Sequence, residues 1–128
     1  MGRCRMSGKT ILIADDNNFI RRLVSAALQP LGCDLIEAVD GEEAITIIAN
    51  QCPDIVLLDL VMPKLNGFEV LEWLRKRPET SDLTVVMLTT AASEADLAQG
   101  EQHRVAAYIV KPFNNTELKE TVAKLLQH

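Results

Sequence analysis

Five short apolar runs, four of them leading directly into a polar residue and each followed by a stretch with helical spacing, constrain this chain more than any other feature. The runs are Thr10–Ala14 (TILIA), Asp34–Ala38 (DLIEA), Asp54–Leu58 (DIVLL), Leu83–Thr89 (LTVVMLT) and Ala106–Val110 (AAYIV). The third and fourth are continuously apolar, the pattern of strands buried on both faces inside a parallel sheet. Strand–helix alternation five times over predicts an α/β domain, a doubly wound five-stranded parallel sheet with helices on both sides in three layers.

The stretches between the runs carry helix signals. Asn17 or Asn18 caps the first helix, in which Phe19 or Ile20, Leu23, Val24, Ala27, Leu28 and Leu31 share one stripe. Pro30 disturbs its end and Gly32 is a stop signal. Asp40-Gly41 reads as a turn before a helix over Glu42–Gln51, with Ala44, Ile45 and Ile48 inward. Asn66 caps a third helix with Phe68, Val70 or Leu71, and Leu74 as its apolar face. Arg75–Asp82 then reads as a polar loop. Ser93 caps a fourth helix reaching about His103. Asn115 or Thr116 caps a fifth, with Leu118, Val122, Leu125 and Leu126 inward.

Length and composition bound the rest. At 128 residues, 48% hydrophobic and 24% charged, the sequence fits one globular domain over 9–128 behind a loose, disordered tail over 1–8, in which Met6 could be the natural start. A net charge of −5 gives sequence-independent nucleic-acid binding no electrostatic support, so no direct nucleic-acid contact is expected. No apolar run approaches the roughly 18–20 residues that span a bilayer, so no membrane association is expected either. Three cysteines, Cys4, Cys33 and Cys52, fit neither a disulfide framework nor a zinc site. Cys33 and Cys52 are expected buried or half-buried, and the usage points to a reducing, cytoplasmic location.

In such a sheet every strand enters its following loop at the same edge. Asp15 and Asp16 follow the first strand, Asp59 the third, Thr89 the fourth and Lys111 the fifth. That edge is where open parallel sheets bind ligands. Singly, each residue reads as a helix-start acid or a solvated loop charge; together they make a site. Three neighbouring carboxylates repel one another unless a cation is present. An all-oxygen set with no His or Cys nearby selects a hard ion, Mg²⁺ or Mn²⁺ in its place. A lysine, a divalent ion and a strand-end hydroxyl suit an incoming phosphoryl group, and a carboxylate can accept it covalently. The chemistry indicated is metal-assisted phosphoryl transfer onto Asp59.

These residues resemble the receiver domains of two-component response regulators, over about Lys9 to the C-terminus. The marks are Asp15-Asp16, Asp59 followed by MPKLNG, Thr89 after VVML, and Tyr108 just before Lys111-Pro112-Phe113. The resemblance implies a flavodoxin-like fold with strand order 2-1-3-4-5. It implies Asp59 as phosphoacceptor from a histidine kinase or histidine phosphotransferase, and Asp16, Asp59 and the Val61 carbonyl as direct Mg²⁺ ligands, with Asp15 acting through water. Thr89 would close on the phosphoryl oxygens, Lys111 would pair with them, and Tyr108 would move inward with Thr89. That movement would reshape the face of helix four, strand five and helix five for a downstream protein. Such a chain is a signalling receiver, not an enzyme with external turnover.

Departures from the family pattern carry their own expectations. Arg104-Val105 stand where a Gly-Ala pair is common, and Gly100 lies inside helix four, so that helix is expected short, frayed or shifted. Ala106-Ala107 replace an acidic pair that forms dimer salt bridges in many DNA-binding members, so a monomer or weak dimer is expected. Val61 and Ala91 offer no group to orient an attacking water, which predicts a long-lived phosphoryl group. A short chain after Lys111 favours a stand-alone, chemotaxis-regulator-like receiver; the alternative is a receiver excised from a multidomain regulator or hybrid kinase. A phosphatase with an aspartate nucleophile would need a second carboxylate where Val61 stands. A flavin binder would need a phosphate-cradling loop where Asp15-Asp16 stand.

Overall fold

The computed structural model describes residues 8–90 and 94–127; the expectations for Cys4, Ala91, Ser93 and most of the N-terminal tail fall outside them. The elements are β1 (Thr10–Ala14), α1 (Asn18–Leu28), β2 (Asp34–Ala38), α2 (Gly41–Gln51), β3 (Ile55–Asp59), α3 (Gly67–Arg75), β4 (Thr84–Thr89), α4 (Glu94–Gln102), β5 (Ala107–Val110) and α5 (Asn115–Leu126), with a 3-10 turn over Gln29–Leu31. The sheet runs β2-β1-β3-β4-β5, all neighbours parallel. The expected architecture and strand order are both present.

Alternation along the strands sorts the core into two layers. Ile11, Ile13, Ile55, Leu57, Val86 and Leu88 point to one face, where Val24 and Leu28 of α1 and Leu118, Val122 and Leu126 of α5 cover them. Leu12, Ala14, Val56, Leu58, Val85 and Met87 point to the other, beneath Ala44 and Ile48 of α2 and Val70, Leu71 and Leu74 of α3. Both faces of β3 are closed, and all five of its residues are buried. Its last residue is Asp59, so the site carboxylate is part of the strand rather than of the loop after it.

Side-chain caps set the helix starts, and those of α2 and α5 differ from the sequence expectation. Asn17 caps α1, accepting from the Phe19 and Ile20 N–H groups. This turns Phe19 outward, 65% exposed, and Ile20 inward. Asp40 caps α2 through the Glu43 N–H, so Gly41 opens the helix instead of ending a turn. A reciprocal pair, Asn66 with Glu69, starts α3. Asn114 caps α5 through the Glu117 N–H, displacing the expected Asn115 or Thr116 by one or two positions. Ile45 and Leu125 face inward as expected, half-buried and packed against the two core layers. Cys33 is half-buried as expected, whereas Cys52 is exposed: it ends α2 in the left-handed region at φ 44°.

The stretch after α3 is not a simple polar loop. Arg75 completes the helix and sends its guanidinium to the carbonyls of Ser81 (3.1 Å), Leu83 (2.8 Å) and His103 (2.7 Å). Longer bonds reach the carbonyls of Thr80 and Arg104. Thr80 is buried, its hydroxyl on the Leu74 carbonyl at 2.7 Å. This brace reaches the end of α4, which closes without glycine. Arg104 takes the left-handed conformation at φ 61°, and the Val105 and Arg104 N–H groups bond back to the Gly100 and Glu101 carbonyls at 2.9 and 3.0 Å. The missing glycine cap is thus replaced by the same geometry on an arginine, and α4 extends over nine residues.

Candidate functional site

The sheet edge gathers the predicted residues. One carboxylate oxygen from each of Asp15, Asp16 and Asp59 lies within 4.8 Å of the others. Asp15 is fully buried, Asp59 is 7% exposed, and Asp16 opens to solvent. They border a cavity of about 350 Å³ whose walls include Ile20, Thr90, Lys111 and Pro112.

Each carboxylate is held differently. Asp15 Oδ1 accepts the Asn17 N–H at 2.9 Å, and Oδ2 accepts from Lys111 Nζ at 2.7 Å. Both of its oxygens are therefore engaged by protein. Asp59 Oδ1 lies 3.5 Å from Lys111 Nζ and takes a long bond, 3.4 Å, from the Val61 N–H. Burial, and next the Asp15 charge, push the Asp59 carboxyl up to about 6, with Lys111 opposing. Among the described residues one lysine stands against three carboxylates, and the oxygen-only donor set suits a hard divalent cation. The Mg²⁺ expectation is therefore compatible with the residues present.

Close backbone packing places Asp59. The Gly67 N–H bonds the Leu60 carbonyl at 2.8 Å. A Cβ at Gly67 would sit 2.7 Å from the Asp59 carbonyl oxygen and 2.8 Å from the Met87 methyl. Only glycine lets α3 begin so near β3. Val61, 75% exposed, presents methyl groups beside Asp59. Thr89 ends β4, 3% exposed, and its carbonyl accepts the Lys111 N–H at 2.6 Å. Two strand exits are thus joined through Lys111, whose side chain reaches those of β1 and β3.

Tyr108 lies outside the acidic cluster, against α4. Its hydroxyl donates to the Asp96 carbonyl at 2.8 Å. Gly100 is buried beneath the ring: an added Cβ would overlap Tyr108 Oη and lie 2.7 Å from Cζ. The helix-interior glycine that reads in sequence as a weak point is a slot for this side chain. Burial, with Asp96 contributing, raises the tyrosine pKa above its usual value.

Two site residues escaped sequence reading. Thr90 lines the cavity beside Thr89; a second strand-end threonine carried no distinct signal. Arg21, 7% exposed, bonds the Asp15 carbonyl. Its signal was available, since Arg21, Val24 and Leu28 share the buried stripe of α1.

Residues 11–123 match the response regulator receiver domain family. The chain is 40% identical over 122 residues to the probable transcriptional regulator ycf27 of Porphyridium aerugineum, covering 95% of this chain and 50% of that protein. It is 35% identical over 122 residues to the phosphate regulon transcriptional regulatory protein PhoB of Pseudomonas aeruginosa, covering 95% and 53%. The chain spans about half the length of these relatives. Among solved structures, chemotaxis protein CheY4 of Vibrio cholerae superposes with a TM-score of 0.82 at 32% identity, covering 94% of this chain and 98% of that one. A putative response regulator from Chloroflexus aurantiacus gives 0.88 at 28% identity, covering 95% and 100%.

Proposed function

Because the chain belongs to the response regulator receiver family of two-component signalling, we propose that it is a phosphorylation-activated switch that takes a phosphoryl group onto Asp59. The observation carrying this reading is the placement of Asp59. It is buried at the end of the central strand, with Lys111 Nζ at 3.5 Å and two further carboxylates within 4.8 Å.

Asp16, Asp59 and the Val61 carbonyl would hold Mg²⁺, or Mn²⁺ in its place. Asp15, with both oxygens already bonded, would act through water. When bound, the ion supplies positive charge that offsets the acids and the phosphoryl oxygens. In the transfer, an Asp59 carboxylate oxygen attacks the phosphorus of a phosphohistidine on a kinase or histidine phosphotransferase. The new P–O bond forms as the P–N bond breaks. The electron pair leaves with the imidazole nitrogen, which takes up a proton. Lys111 turns its ammonium to the phosphoryl oxygens, and the Thr89 hydroxyl closes on them from β4. Tyr108 follows Thr89 and alters the α4–β5–α5 face read by a downstream protein.

On this reading the chain acts on its own aspartate and turns over no external substrate. It works in the cytoplasm, where such partners are found, as a monomer or weak dimer. Its charge of −5 leaves DNA contact to a partner or to another domain. A second reading, favoured by the half-length match to transcriptional regulators, is the same switch serving as one domain of a longer regulator or hybrid kinase.

The test is intact-mass measurement after incubation with acetyl phosphate and Mg²⁺. Wild type should gain one phosphoryl group that is acid-stable and alkali-labile, and Asp59→Asn should gain none. An unmodified wild type, or a gain that survives in Asp59→Asn, would overturn the assignment.

A further inference from the structure

A buried guanidinium is costly unless its N–H groups find acceptors. Arg21 finds three. Nε donates to Glu37 Oε1 on β2 at 2.8 Å, Nη1 donates to the Asp15 main-chain carbonyl at 2.5 Å, and Nη2 donates to Asn18 Oδ1. Glu37 alone would satisfy the charge. The other two acceptors flank Asp16: the Asp15 carbonyl in the turn between β1 and α1, and the side chain of Asn18, the first residue of α1.

That turn fixes its two acids by different means. The Asp15 side chain is pinned by Asn17 and Lys111, and the Asp15 N–H bonds the Ala38 carbonyl at 3.1 Å. Among the described contacts, no side chain holds the Asp16 carboxylate. Its position follows from the peptide that joins it to Asp15, and the carbonyl of that peptide is the one Arg21 grips.

We propose that Arg21 is a positioning residue for cation binding: through the Asp15 carbonyl and the Asn18 side chain it holds Asp16 within reach of Asp15 and Asp59. The inference rests on reading the three acids as a cation site. Glu37, half-exposed on the outermost strand, is the anchor that aims the guanidinium. A planar fork can serve three acceptors in different directions, whereas the ammonium of a lysine cannot reproduce that reach.

The sign of the effect separates positioning from simple electrostatics. Were Arg21 only a positive charge near the acids, its removal would tighten cation binding. Positioning requires the opposite. The experiment titrates Mn²⁺ by the loss of its free-ion paramagnetic resonance signal, and Mg²⁺ by calorimetry, on wild type, Arg21→Gln, Arg21→Lys, Glu37→Gln and Asp59→Asn. Circular dichroism and melting in chelator verify the fold of each. Arg21→Gln and Arg21→Lys should bind about tenfold more weakly, the scale of losing a partner that orients a ligand. Glu37→Gln should show a smaller loss in the same direction. Folded Arg21 variants that bind as tightly as wild type, or more tightly, would overturn the inference while leaving the cation site standing. If the Arg21 variants do not fold, an unchanged affinity in Glu37→Gln overturns it. A wild type that binds no Mn²⁺ removes the cation site and this inference with it.

Discussion

Gly100→Ala tests whether the glycine in α4 is a weakness or a slot. On local terms the substitution should help: glycine in a helix interior is about 1 kcal/mol worse than alanine. The structure predicts that the gain is cancelled. The new methyl overlaps Tyr108 Oη and lies 2.7 Å from Cζ and 3.1 Å from Cε2. Carbon pairs rest at about 3.5–4.0 Å, so the ring must withdraw by about an ångström or more at its hydroxyl end. That movement breaks the 2.8 Å bond to the Asp96 carbonyl, worth about 1 kcal/mol net. The colliding atoms are the far end of a side chain, so the tyrosine yields before the helix does.

Net stability should therefore change by less than about 0.5 kcal/mol while the tyrosine changes surroundings. Tyr108 is the sole tyrosine of the chain, so its ionisation can be followed by phenolate absorbance without assignment. In wild type it titrates above the usual range, chiefly because of burial. In Gly100→Ala it should fall back toward that range. In a Tyr108→Ala background the slot is empty, and Gly100→Ala should then stabilise by the full ~1 kcal/mol. The reasoning fails if Gly100→Ala stabilises wild type by that amount and leaves the tyrosine titration where it was.

Three other outcomes are expected. With cations chelated, native Asp59 binds its proton more tightly than the unfolded chain does, since its carboxyl is raised to about 6. Stability from this group is thus full below about pH 4 and lost as pH rises through about 6, by roughly 2–3 kcal/mol. Asp59→Asn should be the more stable protein at pH 7.5 and not at pH 4, and parallel pH–stability curves would contradict the assignment. Val61→Asn should shorten the lifetime of the phosphorylated protein by giving water a hydrogen-bonding partner beside Asp59, and equal hydrolysis rates would sink that idea. Arg75→Met should cost about 2–3 kcal/mol and speed amide exchange at Arg104 and Val105, because it releases carbonyls on both sides of the brace; an unchanged melt would show the brace to be idle.

The sheet was legible because the buried strands of a parallel sheet are nearly continuous apolar runs, and IVLL and TVVML could be little else. The acids were legible for a topological reason: parallel strands share one exit edge, so residues far apart in sequence can be placed together before any contact is known. What stayed hidden were long side chains that bond main-chain oxygens. Arg21 falls on the buried stripe of α1 and Arg75 looks like a surface charge at a helix end, yet neither position tells that one grips a carbonyl six residues back and the other a carbonyl 28 residues on. No hydrophobic period encodes that. The α5 cap was misplaced because Asn114, Asn115 and Thr116 are adjacent residues of similar capping strength. Gly100 was seen as a local cost because its compensation lies eight positions away in sequence, in the ring of Tyr108.

On the proposed function, the charge count at the sheet edge makes phosphorylation and cation binding depend on each other. Three carboxylates and Lys111 leave a formal charge of −2, and the lysine is committed more closely to Asp15 at 2.7 Å than to Asp59 at 3.5 Å. Asp59 is therefore the less neutralised of the two buried acids, and its carboxyl is raised by burial first and by the Asp15 charge next. A phosphoryl group on Asp59 exchanges one negative charge for about two, deepening the deficit that a divalent cation offsets. By reciprocity, whatever the phosphoryl group adds to cation affinity the cation adds to the stability of the phosphorylated state. On the proposed function the added charge would also draw Lys111 away from Asp15. Lys111 is bonded through its N–H to Thr89 and directly follows β5, with Tyr108 seated three residues back in the α4 slot. On the proposed function, movement of Lys111 would act next to a strand whose Tyr108 reaches α4. Lys111→Met should separate the two properties, leaving Tyr108 docked on α4 and making its titration insensitive to the state of Asp59.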